Sequence, residues 1–169
     1  MFIYQPSLSK ELEYTLGKIK NLFGVIPPHW ELLAFIAPKR FEMFIVEIKY
    51  LLNHPNINPD FFAMLRLHVA NKAGFSYCKS FNTKLLLAKG YDKTSIKELK
   101  EDIGLIPLDN RHKFLAQKAI KAMYQPKEFT LKDINELKDL SWSDSDIYDA
   151  IDHAGFLFKF ARIIKAYSK

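Results

Sequence analysis

The sequence predicts an all-α protein, a compact bundle of about eight or nine helices joined by short connections. Pro28, Pro38 and Pro59 each stand where a proline fits the first turn of a helix, because its missing N–H would be unsatisfied there anyway. No stretch alternates apolar and polar residues for long enough, between suitable turns, to make a sheet. Capping residues instead recur at the spacing of short helices.

The helices follow in order. Pro28 and Pro38 open two early ones. Asn58-Pro59 is the clearest start, with Asn58 placed to cap, and the segment from Pro59 to about Lys72 is apolar nearly all round. A helix of that kind belongs in the middle of a core. Ser76 is placed to cap the next helix, and Gly90 supplies its left-handed end. Ser95 with Glu98 reads as a capping box for a short helix ending near Gly104. Asp109 opens another that runs to Tyr124, ahead of Pro126. Thr130 to Asp133 and Ser143 to Asp146 begin the last two. Phe156, Phe160, Ile163, Ile164 and Tyr167 form a helically spaced stripe, suited to core packing or a subunit seam. The echo of Ile96–Glu101 in Ile134–Asp139 is too short to be a repeat, so residues 1–169 read as one domain.

Composition narrows the function. Of the 169 residues, 49% are hydrophobic and 26% charged, the balance of a water-soluble globular chain. No apolar run is long enough for a bilayer, and Met1–Pro6 lacks the features of a secretion signal. A lone cysteine forms no internal disulfide and fits a reducing cytoplasm. The net charge of +6 invites a nucleic-acid reading. Its lysines are interleaved with acids, however, as in Lys97–Asp102, and no nucleic-acid motif accompanies them. Nucleic acid and membrane are therefore excluded as main partners. No clustered ligand set predicts a metal, and no glycine-rich phosphate loop or nucleophile elbow predicts a cofactor.

The chemistry concentrates around Gly74–Asn82. With Ser76 as cap, Cys78 lies in the first helical turn, where free backbone N–H groups and the helix dipole favour a thiolate. Asn82 follows one turn later on the same face and can hydrogen-bond, but it exchanges no proton near neutrality. Arg66 and His68 interrupt the apolar central helix, and polar groups there require partners. Arg66 could attract an anionic substrate, and His68 could shuttle a proton. They point about 200° apart around the helix, so they do not both face one site. The plainer reading is a satisfied core histidine and an arginine reaching a subunit interface. His153 lies on the final helix with Asp149 one turn before it, placed to orient the imidazole. His29, His54 and His112 fall near helix ends or loops without ligand spacing.

The segment Phe61–Ala70 followed by Gly74-Phe75-Ser76-Tyr77-Cys78-Lys79-Ser80-Phe81-Asn82 resembles the core of the alkylhydroperoxidase D and carboxymuconolactone decarboxylase superfamily, in its peroxidase-related subgroup. Residues 59–90 carry the motif. Where the peroxidase branch has a Glu, a Cys-x-x-Cys pair and a His, this chain has Ala63, Phe75, Cys78 and Asn82. Leu22–Pro27, Leu33–Phe41, Phe129–Leu137, Trp142–Ile147 and Arg162 extend the likeness over most of the chain. The resemblance implies thiol-dependent hydroperoxide reduction, an antioxidant oxidoreductase activity, here weakened or lost because one motif cysteine remains. Cys78 is then the candidate thiol, Asn82 stands in the histidine's place, and Phe75, Tyr77, Arg66 and His153 line the pocket. It also implies a homotrimer or homohexamer and, with Phe75 offering no resolving thiol, an external thiol reductant. Two alternatives stand beside it. One is a decarboxylase-like enzyme that does not use the thiol. The other is a non-catalytic oligomer whose pocket binds a ligand or is filled by Phe75, Tyr77 and Phe81.

Overall fold

The computed structural model describes residues 2–168, and among these it contains nine α-helices and no β-strand. The chain divides into two compact units, one of residues 1–52 with 159–169 and one of residues 53–158.

In the first unit, α1 (Lys10–Phe23) is capped by Ser9, whose Oγ accepts from Leu12 N at 3.3 Å. It ends at Gly24, whose φ of 71° closes the helix in the left-handed region. Pro28 begins α2 (Pro28–Ile36) and Pro38 begins α3 (Pro38–Leu52), as the sequence predicts. Trp30, Phe41 and Phe44 are buried, with ring pairs Trp30–Phe44 at 5.5 Å and Trp30–Phe41 at 6.5 Å in edge-on geometry. Phe160, from the far end of the chain, joins Phe44 at 5.6 Å, so aromatic rings make up much of this unit's core.

The second unit carries the motif. Asn58 Oδ1 accepts from Asp60 N at 2.9 Å and starts α4 (Pro59–Lys72). Phe61 to Leu65 and Leu67 to Ala70 are all buried, which explains why this helix has no polar face. The loop leading into it is clamped by two imidazoles. His54 Nδ1 accepts from the backbone N–H of Asn56 and Ile57, at 3.2 and 2.9 Å, so its proton sits on Nε2 and is donated to Asp149 Oδ2 at 3.2 Å. His112 Nε2 accepts from Asn58 N at 3.1 Å, while its Nδ1 donates to Asp109 Oδ2 at 2.8 Å. Both rings satisfy buried backbone donors that would otherwise be orphaned.

Gly74, with a φ of 71°, turns the chain from α4 into α5 (Ser76–Ala88). At the other end of the pair, Asp60 meets Lys89 and accepts from Tyr91 Oη at 3.0 Å, so the two helices run antiparallel. The cap of α5 differs from expectation. Ser76 is its first helical residue, Phe75 holds the N-cap position, and no side chain caps the helix. A second start also moves. Asp92, not Ser95, caps α6 (Lys93–Glu101), its Oδ1 accepting from Thr94 N and Ser95 N at 2.8 and 2.9 Å. An aspartate three residues upstream outcompetes the serine because its carboxylate bonds the backbone N–H groups and the Ser95 hydroxyl together. A short 3₁₀ turn, Ile103–Leu105, then leads to α7 (Asn110–Tyr124), capped by Asp109. Thr130 and Asp133 form the capping box of α8 (Leu131–Asp139). Ser143 and Asp146 exchange bonds of 2.8 and 3.1 Å at the start of α9 (Asp144–Tyr167).

Candidate functional site

Three helices of the second unit bring four sequence-predicted residues together. Arg66, on α4, donates from Nε to Asn82 Oδ1 on α5 at 3.0 Å. Its Nη1 lies 2.6 Å from His153 Nε2 on α9. An arginine only donates, so this imidazole nitrogen presents its lone pair and the neutral ring carries its proton on Nδ1. Asn82 completes the chain with its other amide end, donating from Nδ2 to the Cys78 carbonyl at 2.8 Å. Asn82 and His153 are each only 2% exposed, whereas Arg66 and Cys78 are half-buried.

Asn82 therefore does work that the missing histidine would do differently. Its carbonyl oxygen orients the guanidinium and its amide nitrogen holds the last turn before it. Neither end takes up a proton.

The electrostatics turn on Arg66. Burial lowers its pKa from the ordinary 12.5 to about 10, which still leaves it cationic at neutral pH. Cys78 is the group whose charge couples to it. Burial raises the Cys78 thiol above its usual value, while Arg66 and the backbone N–H at Cys78 pull it back down without cancelling the rise. Against the helix-terminus expectation, desolvation is the largest influence on this thiol and its direction is upward. Arg66 turns into this cluster and finds two partners there.

The other expected residues fall elsewhere. His68 is 1% exposed and donates from Nδ1 to the Leu99 carbonyl at 2.9 Å, on the α6 side of the central helix. Burial lowers its pKa, and its Nε2 is buried without a hydrogen-bond partner. It is a neutral core histidine rather than a shuttle beside Cys78. Asp149 Oδ2 accepts from His54 Nε2 at 3.2 Å. His153 is framed by aromatic rings, edge-on to Phe62 at 4.9 Å and stacked with Phe156 at 5.2 Å. Phe75 is half-buried with its ring 5.9 Å from Phe158, which Tyr124 meets at the same distance. Tyr77 is 40% exposed and stacks with Phe81 at 6.3 Å. Arg162 is exposed. No group of three or more metal-ligating side chains occurs among the described residues.

What the sequence missed was the connection. Arg66, Asn82 and His153 were each visible, but nothing in their spacing joins positions 16 and 87 residues apart. One signal was available: an arginine on an apolar helix with no acid at helical spacing toward the same side.

No protein-family model and no curated protein matches the chain. Solved structures do. An uncharacterized peroxidase-related protein from Silicibacter sp. TM1040 superposes with a TM-score of 0.79 at 20% identity, over 96% of this chain and 85% of that one. A second, described as an alkylhydroperoxidase AhpD core and an uncharacterized peroxidase-related protein, comes from Ralstonia eutropha JMP134. It gives a TM-score of 0.74 at 15% identity, over 96% of this chain and 86% of that one. The fold is thus the all-α, alkylhydroperoxidase D-like fold of peroxidase-related proteins. No helix among the described residues is long and apolar enough to cross a membrane.

Proposed function

We propose that this chain is a one-cysteine thiol oxidoreductase that reduces hydroperoxides slowly and depends on an external thiol for turnover. The single observation that carries the reading is the Arg66 guanidinium, held by Asn82 and His153 within electrostatic reach of Cys78. A thiolate formed there has a cation to stabilise it. In the reaction, the Cys78 proton leaves to solvent and the sulfur attacks one peroxide oxygen. The S–O bond forms as the O–O bond breaks, and the departing alkoxide takes a proton from water to leave as an alcohol. Sulfur is oxidised to sulfenic acid and the peroxide is reduced. One external thiol then displaces water to give a mixed disulfide, and a second releases Cys78 as its thiol.

The geometry also accounts for slowness. Burial keeps most of the sulfur protonated near neutral pH. Asn82 is no base, and the His153 lone pair is already engaged by Arg66. Self-association as three or six copies, and an antioxidant role in the cytoplasm, belong to the same proposal. The test is intact-mass analysis after a small excess of hydroperoxide, with a sulfenic-acid trap present because the four methionines also gain oxygen. The expected result is a trapped adduct on the wild type that is absent from Cys78→Ser. An unreactive Cys78 in folded protein would sink the reading. It would favour the second one, a ligand-binding protein without catalysis, which the raised thiol pKa supports.

A further inference from the structure

We propose that Arg66 binds a small organic carboxylate, and that this anion and the Cys78 thiolate compete for the same guanidinium. The competition, though not the binding, rests on the reading of Cys78 given above. Both hydrogen bonds that fix Arg66 end on uncharged acceptors, an amide oxygen and an imidazole nitrogen. No carboxylate pairs with Arg66 among the described residues. Its positive charge therefore goes uncompensated, in a half-buried position where a lone charge is costly. Natural structures balance such a charge with a carboxylate or a ligand.

The orientation of the fork shows where that ligand sits. Nε and Nη1 are taken, while Nη2 has no hydrogen-bond partner among the described residues and is not among the fully buried orphan atoms. It is the terminal nitrogen left open on a guanidinium whose Nε and Nη1 are held from two helices. A planar donor edge of this kind matches a carboxylate, whose two oxygens engage adjacent N–H groups. The resident thiol does not fill the role at rest, because burial keeps it protonated. A bound carboxylate would neutralise the cation that pulls the thiol down, and so oppose thiolate formation. Anion binding is then a brake on the sulfur.

The experiment uses the full chain with hexanoate as probe and inorganic phosphate as the comparison. Two signals are read: the thermal midpoint, and the rate of Cys78 alkylation by neutral iodoacetamide as a function of pH. Saturating hexanoate should raise the midpoint by about 3 °C. It should also slow alkylation near neutral pH about threefold, equivalent to about 0.5 pKa unit. In Arg66→Met both responses should disappear, and in Arg66→Lys, which keeps the charge but not the fork, both should weaken. Should Arg66→Met not fold, the upward shift of the alkylation midpoint in the wild type still decides the matter. Hexanoate without effect on the wild type overturns the proposal, as does an equal effect on Arg66→Met. Phosphate acting as strongly as hexanoate overturns the carboxylate assignment. If hexanoate stabilises the wild type and not Arg66→Met while Cys78 ignores hydroperoxide, the anion site stands and the peroxidase reading falls.

Discussion

At the scale of single residues, His68 is the imidazole that burial in the core holds neutral. Its Nδ1 has a carbonyl partner, but its Nε2 is sealed in the core of α4 without one. Protonation would place a second, unsatisfied N–H in that space, so burial holds the pKa below 6.5. The sign follows from linkage. The unfolded chain takes up this proton at a higher pH than the folded chain does, so stability falls as pH drops below the unfolded value and keeps falling to the folded one. The group contributes a loss of up to about 1.4 kcal/mol per pH unit across that window. Urea unfolding of the wild type and of His68→Gln, measured on either side of the window, should show a shallower pH dependence in the variant. Parallel pH profiles would mean that His68 titrates as freely in the fold as outside it.

At the scale of helices, the starts that the sequence announces at Asn58-Pro59, Asp109, Thr130 with Asp133, and Ser143 with Asp146 are placed correctly. The two it misplaces, at Ser76 and at Ser95 with Glu98, lose the cap position to a residue upstream, Phe75 and Asp92 respectively. α3 raises a different question at this scale. It turns Phe41, Phe44 and Leu51 to the core and leaves Met43, Val46 and Tyr50 exposed by 63%, 66% and 45%. These three recur at the spacing of a coiled-coil seam, with Glu42 and Lys49 along one flank. An antiparallel meeting of α3 with a second copy about a two-fold axis would set Glu42 beside the partner's Lys49, and Lys49 beside the partner's Glu42. A two-fold axis is compatible with six copies and not with three. Light scattering on the eluting protein should therefore give a larger assembly for the wild type than for Val46→Asp, with helical content unchanged. Equal masses would remove α3 from the interface.

At the scale of the whole molecule, the fold was legible because it is written in local features: prolines at first turns, caps, and one helix apolar on every side. The site was legible only in part. Cys78 and Asn82 sit four residues apart on one helix, so their shared face could be read directly, and Asn82 does bond the Cys78 carbonyl. The bridge from Arg66 to His153 depends on how α9 packs against α4, which no local pattern encodes. Desolvation of Cys78 is likewise a property of the packed unit, and it reverses the sign that the helix terminus alone predicts. Phe75 is where these scales meet. It occupies the N-cap of α5, three residues ahead of Cys78, with its ring half-buried against Phe158. A thiol there would stand one helical turn from the Cys78 sulfur, the separation at which a sulfenic acid condenses with a neighbour and expels water. Phe75→Cys should therefore convert hydroperoxide treatment from a trappable sulfenic acid into an internal disulfide, seen as a loss of two hydrogens by intact mass and reversed by dithiothreitol. Truncating the phenylalanine also opens space beside Phe158, so the variant should unfold at lower denaturant by about 1–3 kcal/mol. If Cys78 still yields only the trapped adduct, with the second thiol free, then the spacing is present but the α5 terminus does not let the two sulfurs meet. The missing cysteine would then not be the reason this site turns over slowly, and the raised thiol pKa set by burial would be.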